Sequence, residues 1–261
     1  MVSLIGMFAV ELKFSGRQRA VADLQSDAIT WLVGALVRNG SLLEESLLAG
    51  DSEGWTVYGV APARDAFHRA NWNKSVQERT RSLRQVNLKL PRIRFLGVVP
   101  ETGRSCRCAR ERGFFLFTTY MHLDPPVRCM CCNGAVPLYR LPPSSTGDHS
   151  HLLSWRSNYR ACDALKMGCT VGERFGTRQM SDLTSELSRS GLAACKEIER
   201  LTGRPAYYYL HRDNGRSHAM EGRRRCPGCG GAWRLKEPLH GMFDFQCDRC
   251  HLLSNIAWSF R

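Results

Sequence analysis

The residues best equipped for chemistry in this chain are its cysteines, twelve in 261 positions, and most fall in pairs. Cys226-Pro-Gly-Cys229-Gly-Gly has the form of a zinc knuckle. Two intervening residues let both thiolates face one ion, and the glycines permit the tight turn that aims backbone N–H groups at the sulfurs. Cys247-Asp-Arg-Cys250 follows at the separation expected of a second half-site. Four thiolates close a tetrahedron and leave no position for water, so the chemistry is structural Zn2+ binding. In so small a ribbon the metal supplies most of the stability, on the order of 10 kcal/mol. Cys247 to His251 also spells C-x-x-C-H, the pattern of c-type haem attachment. That reading needs export and leaves the first pair unexplained. His251 is also an alternative ligand to Cys250.

A second set lies mid-chain. Cys106-Arg-Cys108 is followed by Cys129-Met-Cys131-Cys132-Asn-Gly134, and the simplest second Zn2+ site takes Cys106, Cys108, Cys129 and Cys132. Cys131 is then a spare thiol or a substitute for Cys132; the competing reading is a set of reduced, unligated cysteines. Cys195 falls near an apolar helix face and reads as a small buried hydrophobe. Cys162 and Cys169 share a face of any continuous helix, without further ligands in view.

Cationic chemistry comes next. The formal net charge is +13, which suits an acidic partner, most often nucleic acid. Arg223, Arg224 and Arg225 stand before the first knuckle, with Arg212 and Arg216 upstream and Arg234 and Arg249 on the ribbon. Guanidinium groups pair with phosphates, and Trp233, Phe243, Phe245 or Trp258 can stack on bases or fill the ribbon's core. Arg223, Arg224, Arg225 and Arg249 are the expected nucleic-acid contacts. An acidic protein held by an immunity or adaptor module is the alternative partner. No nucleophile–base pair, phosphate loop or open metal site such as H-E-x-x-H is present, so no enzyme is expected. Glu173 reads as the capping partner of Thr170, and His211 as a surface residue at a strand end.

Elements must position these groups. Hydrophobic residues make up 43% and charged residues 23%, ordinary for a packed globular chain. Met1 to Phe14 has no basic leader, and no apolar run approaches the roughly 20 residues of a membrane span. The expectation is a soluble, cytoplasmic protein without a membrane partner. Alternation predicts a strand over Phe8 to Phe14. A capping box at Ser15 and Gln18 precedes a helix carrying Val21, Leu24, Ala28, Leu32 and Leu36, stopped by Asn39-Gly40. Trp55 to Val60 reads as a strand, Trp72 to Leu83 as a strongly basic helix, and Ile93 to Val99 as a strand. Short strands over Phe114 to Tyr120 and Val136 to Leu141 are set among the central cysteines. A helical stretch follows, with Leu187, Ala194, Ile198 and Leu201 on one face and a stop at Gly203. Ala206 to Leu210 reads as a strand, and an arginine-rich linker, Arg212 to Arg225, leads to the ribbon. There Trp233 to Leu235, Phe243 to Phe245 and Leu252 to Phe260 supply strands.

The fold class expected is α+β: a ferredoxin-like α/β layer region over 1–100, a central cysteine-rich zinc-binding β insertion over 101–143, a helical segment with closing strand over 144–212, and a C-terminal zinc ribbon over 222–261.

Several stretches together resemble a bacterial family of uncharacterised proteins, the domain of unknown function 2310, described as Zn-ribbon-containing and with nucleic-acid binding inferred for it. They include Leu116-Phe-Thr-Thr-Tyr120, Val136-Pro-Leu-Tyr-Arg-Leu-Pro142, Tyr159-Arg-Ala-Cys-Asp163, Val171-Gly-Glu-Arg-Phe175, Arg178-Gln-Met180, Leu201-Thr-Gly203 and Tyr207-Tyr-Tyr-Leu210. The ribbon, with Phe243-Asp-Phe245 and Leu252 to Trp258, completes them. The likeness runs through most of the chain and is densest after residue 114. It implies zinc at Cys226, Cys229, Cys247 and Cys250, and a second zinc in the central cluster.

Overall fold

A computed structural model describes residues 6–16, 21–43, 46–100 and 102–260. The fold is α+β, with two sheets, and the chain divides into two compact units. One comprises Met1–Cys106, His122–Pro125 and Gly134–Ser150; the other comprises Arg107–Met121, Pro126–Asn133 and His151–Arg261.

The first unit runs β1 (Met7–Ser15), α1 (Ala22–Asn39), β2 (Leu47–Gly50), β3 (Gly54–Ala61), α2 (Lys74–Ser82) and β4 (Arg92–Val99). The sheet order is β2-β3-β1-β4 with every pair antiparallel. This βαββαβ order is ferredoxin-like. Alternation works as expected: Val10, Leu12 and Phe14 of β1 and Val57 and Ala61 of β3 are buried with Ile29, Leu32 and Leu36 of α1. Gly40 ends α1 at φ 83°, its N–H reaching the carbonyls of Leu36 and Val37. A side chain there would also strike Leu138, so glycine is required twice over. The predicted capping box does not start the helix within the described residues: Ser15 closes β1, Val21 is an N-cap without a side-chain bond, and Gln18 lies outside them. β2 escaped the sequence reading because a four-residue, mostly exposed edge strand carries too little alternation.

The segment over Val136 to Leu141 corrects an expectation. It is not a strand; it makes a 3-10 turn at Leu138–Arg140. Pro137 precedes the turn at φ −55° and has no N–H to offer a ladder. Tyr139 Oη donates to Asp65 Oδ1 at 2.6 Å, and the Arg140 guanidinium meets the same carboxylate at 3.1 Å.

The second unit contains β5 (Phe114–Leu116), β6 (Val127–Cys129), α3 (Ser150–Gly168), α4 (Glu173–Ser181), α5 (Glu186–Thr202) and β7 (Ala206–Leu210). It continues through α6 (His218–Gly222), β8 (Arg234–Leu239), β9 (Phe243–Cys247) and β10 (Leu252–Ser254). These strands form one sheet of order β6-β5-β7-β10-β9-β8. β7 is parallel to both β5 and β10, while the remaining pairs are antiparallel. All of β7 is buried. Tyr207 and Tyr209 pack with Phe115, Phe117, Phe243 and Leu253 on one face, and Tyr208 meets Trp155 of α3. Ser185 caps α5 by accepting from Ser188 N, and Gly203 ends it in the left-handed region. Leu187, Ala194 and Ile198 are buried as their spacing predicts, and so is Cys195. The expected Thr170–Glu173 capping box is absent; Gly172, at φ 77°, occupies the N-cap of α4. The expected strand from Leu252 to Phe260 stops at Ser254, and a 3-10 turn takes Trp258–Phe260.

α5 lies so close to β7 that a Cβ at Gly191 would fall 2.2 Å from the Tyr208 ring and 2.6 Å from Trp155 Nε1. Gly191→Val therefore lowers stability by about 1–3 kcal/mol, read as a lower urea midpoint at unchanged slope.

Candidate metal centres

The sequence places two C-x-x-C pairs at the C-terminal end, and the fold turns them toward each other. Cys226, Cys229, Cys247 and Cys250 have sulfurs within 4.8 Å of one another, and Cys229 and Cys247 are 3.6 Å apart. The knuckles are built by short backbone bonds: Gly230 N–H donates to the Cys226 carbonyl at 2.8 Å, and Cys226 N–H to Gly231 at 3.0 Å. Gly230 takes φ 68° just after Cys229. In the second knuckle the same place after Cys250 falls to His251, at φ 50°. That turn carries the His251 imidazole to Glu199, 3.1 Å away, and beside the Tyr207 ring. His251 therefore stands outside the thiol group. A Cβ at Gly228 would lie 2.8 Å from the Cys250 sulfur, so close approach demands glycine there.

The central four, Cys106, Cys108, Cys129 and Cys132, also bring their sulfurs within 4.8 Å. Asn133 follows Cys132 at φ 58°, and its N–H closes on the Cys129 carbonyl at 2.9 Å. This is the turn made at Gly230, with asparagine tolerating the left-handed conformation. Cys131 is exposed and accepts from Arg112 N–H at 3.2 Å, so the alternative with Cys131 in place of Cys132 is not the one the fold assembles. All twelve cysteines are free of disulfides, and each group can hold one metal ion.

The thiols of the C-terminal group are unequal. The Gly231 N–H and neighbouring thiols bring Cys229 down to about 7. Burial and the surrounding sulfurs push Cys250 up to about 12. An ion that draws off all four protons removes this inequality.

The arginines divide by environment. Arg224 is turned into the fold: its guanidinium lies 5.0 Å from the Trp233 ring centre and 4.6 Å from that of Phe245. It donates to Ser254 Oγ and the Asn255 carbonyl, both at 3.0 Å, and faces the buried Glu221 carboxylate at 3.6 Å. Arg212 holds the same carboxylate at 2.7 Å. Arg224 thus serves the fold, and the expected phosphate contacts narrow to Arg223, Arg225 and Arg249. These three are exposed and make no ion pair or side-chain hydrogen bond among the described residues. Trp233, Phe243 and Phe245 are buried and fill the core, while Trp258 is exposed. Asn255 gave no signal in the sequence. It is fully buried, accepts from Tyr209 Oη at 2.8 Å and from Arg212 N–H at 2.9 Å, and donates to the Arg212 carbonyl at 2.7 Å.

Two sulfur-only tetrads on an α+β frame define a protein with paired tetracysteine groups that can each hold a metal ion. The chain belongs to the family marked by the domain of unknown function DUF2310, whose model matches residues 108–211. A further domain of unknown function, DUF8594, matches 215–260. An uncharacterised protein of Haemophilus influenzae is 30% identical over 209 residues, covering 80% of this chain and 80% of the relative. Another from the same organism is 38% identical over 145 residues, covering 56% of this chain and 71% of the relative. No solved structure matches. Among the described residues no helix is long and apolar enough to cross a membrane.

His211 departs from the sequence reading as a surface residue, because it is buried at the end of β7. Its Nδ1 meets Tyr209 Oη at 3.2 Å, and Asp213, paired with Lys166 at 3.0 Å, stands 3.6 Å from Nε2. Burial, helped by Lys166 and opposed by Asp213, lowers its pKa from 6.5 to about 4. The unfolded chain therefore binds the extra proton first as pH falls. His211 is neutral to stability above about pH 6.5, withdraws up to about 3 kcal/mol as pH drops toward 4, and changes nothing further below. His211→Gln flattens the dependence of the urea midpoint on pH across that window.

Proposed function

We propose that both tetracysteine groups hold structural Zn2+ and that the protein binds nucleic acid through the exposed arginines around its C-terminal ribbon. The observation that carries the nucleic-acid reading is the position of Arg223, Arg225 and Arg249. They are unpaired among the described residues and flank the turns that close on Cys226 and Cys250. Cations on a rigid turn lose little freedom when they meet phosphate, and their charge is not spent on carboxylates. The overall charge of +13 draws a polyanion to the surface.

Zinc is favoured by the all-thiolate donor set and the spacing. A Zn–S bond of about 2.3 Å places tetrahedral sulfurs about 3.8 Å apart, and Cys229 and Cys247 stand at 3.6 Å. Cys226, Cys229, Cys247 and Cys250 would hold one ion, and Cys106, Cys108, Cys129 and Cys132 the other. Bound there, zinc neutralises the thiolates and fixes the turns; with four protein ligands no site remains for a reacting water. On this reading the protein binds rather than catalyses. Its many free thiols suit the reducing cytoplasm.

Protein purified under reducing conditions contains about two zinc ions per chain by elemental mass spectrometry, and Cys250→Ser reduces this to about one. A red-brown protein carrying iron instead would remove zinc from the account. Affinity for labelled duplex DNA or single-stranded RNA falls linearly in log–log form with salt. The Arg223→Ala, Arg225→Ala double variant weakens binding alike for all sequences and shallows that slope by about two. Unchanged affinity and slope in the variant would rule out this surface. An acidic protein retained at high salt, with no nucleic-acid binding, would replace the reading with a protein-interaction module.

A further inference from the structure

The strongly basic helix of the first unit has no part in the ribbon, and the fold builds a cleft along it. Gln77, Thr80, Arg81 and Arg84 follow at i, i+3, i+4 and i+7, so α2 and the 3-10 turn that continues it (Leu83–Val86) turn one face to the same space. Arg69 and Lys89 line the same space, and the cavity has a volume of about 670 Å3, within the usual range for small-molecule sites. The four cations Arg69, Arg81, Arg84 and Lys89 are exposed and make no ion pair among the described residues. Among the described residues no carboxylate lines the cleft. Glu78, also on α2, is not among its lining residues and pairs instead with Lys74 at 3.9 Å. Four like charges around one hollow repel one another and leave a concentrated positive potential, which an anion relieves.

A second feature gives the cleft chemical direction. Its floor shares Arg69, Trp72, Thr80 and Leu90 with an adjoining recess of about 160 Å3, walled by Leu32, Phe67 and Ile93. Trp72 borders both spaces, and its indole N–H is shielded from solvent with no hydrogen-bond partner. Thr80 Oγ1 donates to the Gln77 carbonyl at 2.8 Å, which leaves its lone pairs free to accept. A ligand suited to this arrangement carries anionic oxygens at one end and a flat, largely apolar group with polar edges at the other.

We infer that the cleft between α2 and the Lys89–Leu90 segment binds a nucleotide, its phosphates held by Arg81, Arg84, Lys89 and Arg69 and its base placed beside Trp72. The phosphate and base can belong to a free nucleoside triphosphate or to a unit of a single strand; both present the same chemistry to the cleft. Guanidinium groups match phosphate oxygens with paired N–H donors, and indole rings stack on any base. This site shares no residue with the ribbon arginines.

The test uses the full-length, metal-loaded chain carrying Arg223→Ala and Arg225→Ala, so that the ribbon surface does not contribute. Adenosine triphosphate, inorganic tripolyphosphate and a single-stranded octathymidylate are titrated separately by calorimetry at low salt. Saturable binding of the triphosphate or the oligonucleotide, weakened at least tenfold by adding Arg81→Ala and Arg84→Ala, is the expected result. The tighter of the two ligands identifies the source. Both arginines are exposed, and an unchanged melting temperature verifies that their removal leaves the fold intact. Absence of binding by both nucleotide ligands overturns the inference, as does binding indifferent to Arg81 and Arg84. Tripolyphosphate binding as tightly as adenosine triphosphate, with no oligonucleotide bound, overturns it too, because the base beside Trp72 would then contribute nothing.

Discussion

The second unit depends on a strand of three residues. Leu252–Ser254 lies between β7, which it meets in parallel, and β9, which it meets antiparallel. All three residues are buried, and Ser254 Oγ donates to the Leu210 carbonyl at 2.8 Å. Parallel neighbours cannot be joined by a tight turn and need a long connection. That connection is the stretch from β7 through α6 and the knuckles, so the cysteine-rich end is part of the main sheet. Without β10 in place, β5, β6 and β7 would present a hydrophobic edge, and β8 and β9 would be an isolated hairpin of marginal stability.

The thiols that can hold a metal lie in the residues that form the sheet. Cys247 ends β9 opposite Leu252 of β10, and Cys250 sits in the turn between them. A metal held by these thiols fixes the turn that sets the register of β10. The central group repeats the device on a smaller scale: Cys129 ends β6, and the turn through Cys132 and Asn133 follows at once. Both cases put a left-handed residue directly after the second thiol, and only that residue's tolerance for positive φ differs.

The use of charge follows the same logic of burial. Glu221 is sequestered in a short helix and draws in Arg212 and Arg224. Arg224 then lies over two aromatic faces and donates to the end of β10, where its stem and head both contribute to packing. Breaking such a buried pair leaves an uncompensated charge. Arg223 and Arg225, its immediate neighbours, extend to solvent. One run of three identical residues therefore contains one that holds the ribbon to the sheet and two that remain available to an anion.

The sequence by itself determined what local chemistry and periodicity encode. The C-x-x-C spacings mark the knuckles because two thiolates on one turn need that separation. Alternation in β1 and β3, the apolar stripe of α5 and the stops at Gly40 and Gly203 follow from side-chain direction and from glycine's access to positive φ. Tertiary structure decided the rest. The edge strand β2 exists only through its pairing with β3, the pairing of β10 with β7 joins partners distant in sequence, and Val136 to Leu141 exchanges strand-like alternation for a turn tied to Asp65. The separation of Arg224 from its neighbours, the burial of His211 and the network around Asn255 likewise depend on groups brought near by the fold. A side chain's type is local, but its solvent exposure and its partner belong to the packed chain, and those two properties decide whether a charge is structural or free to bind.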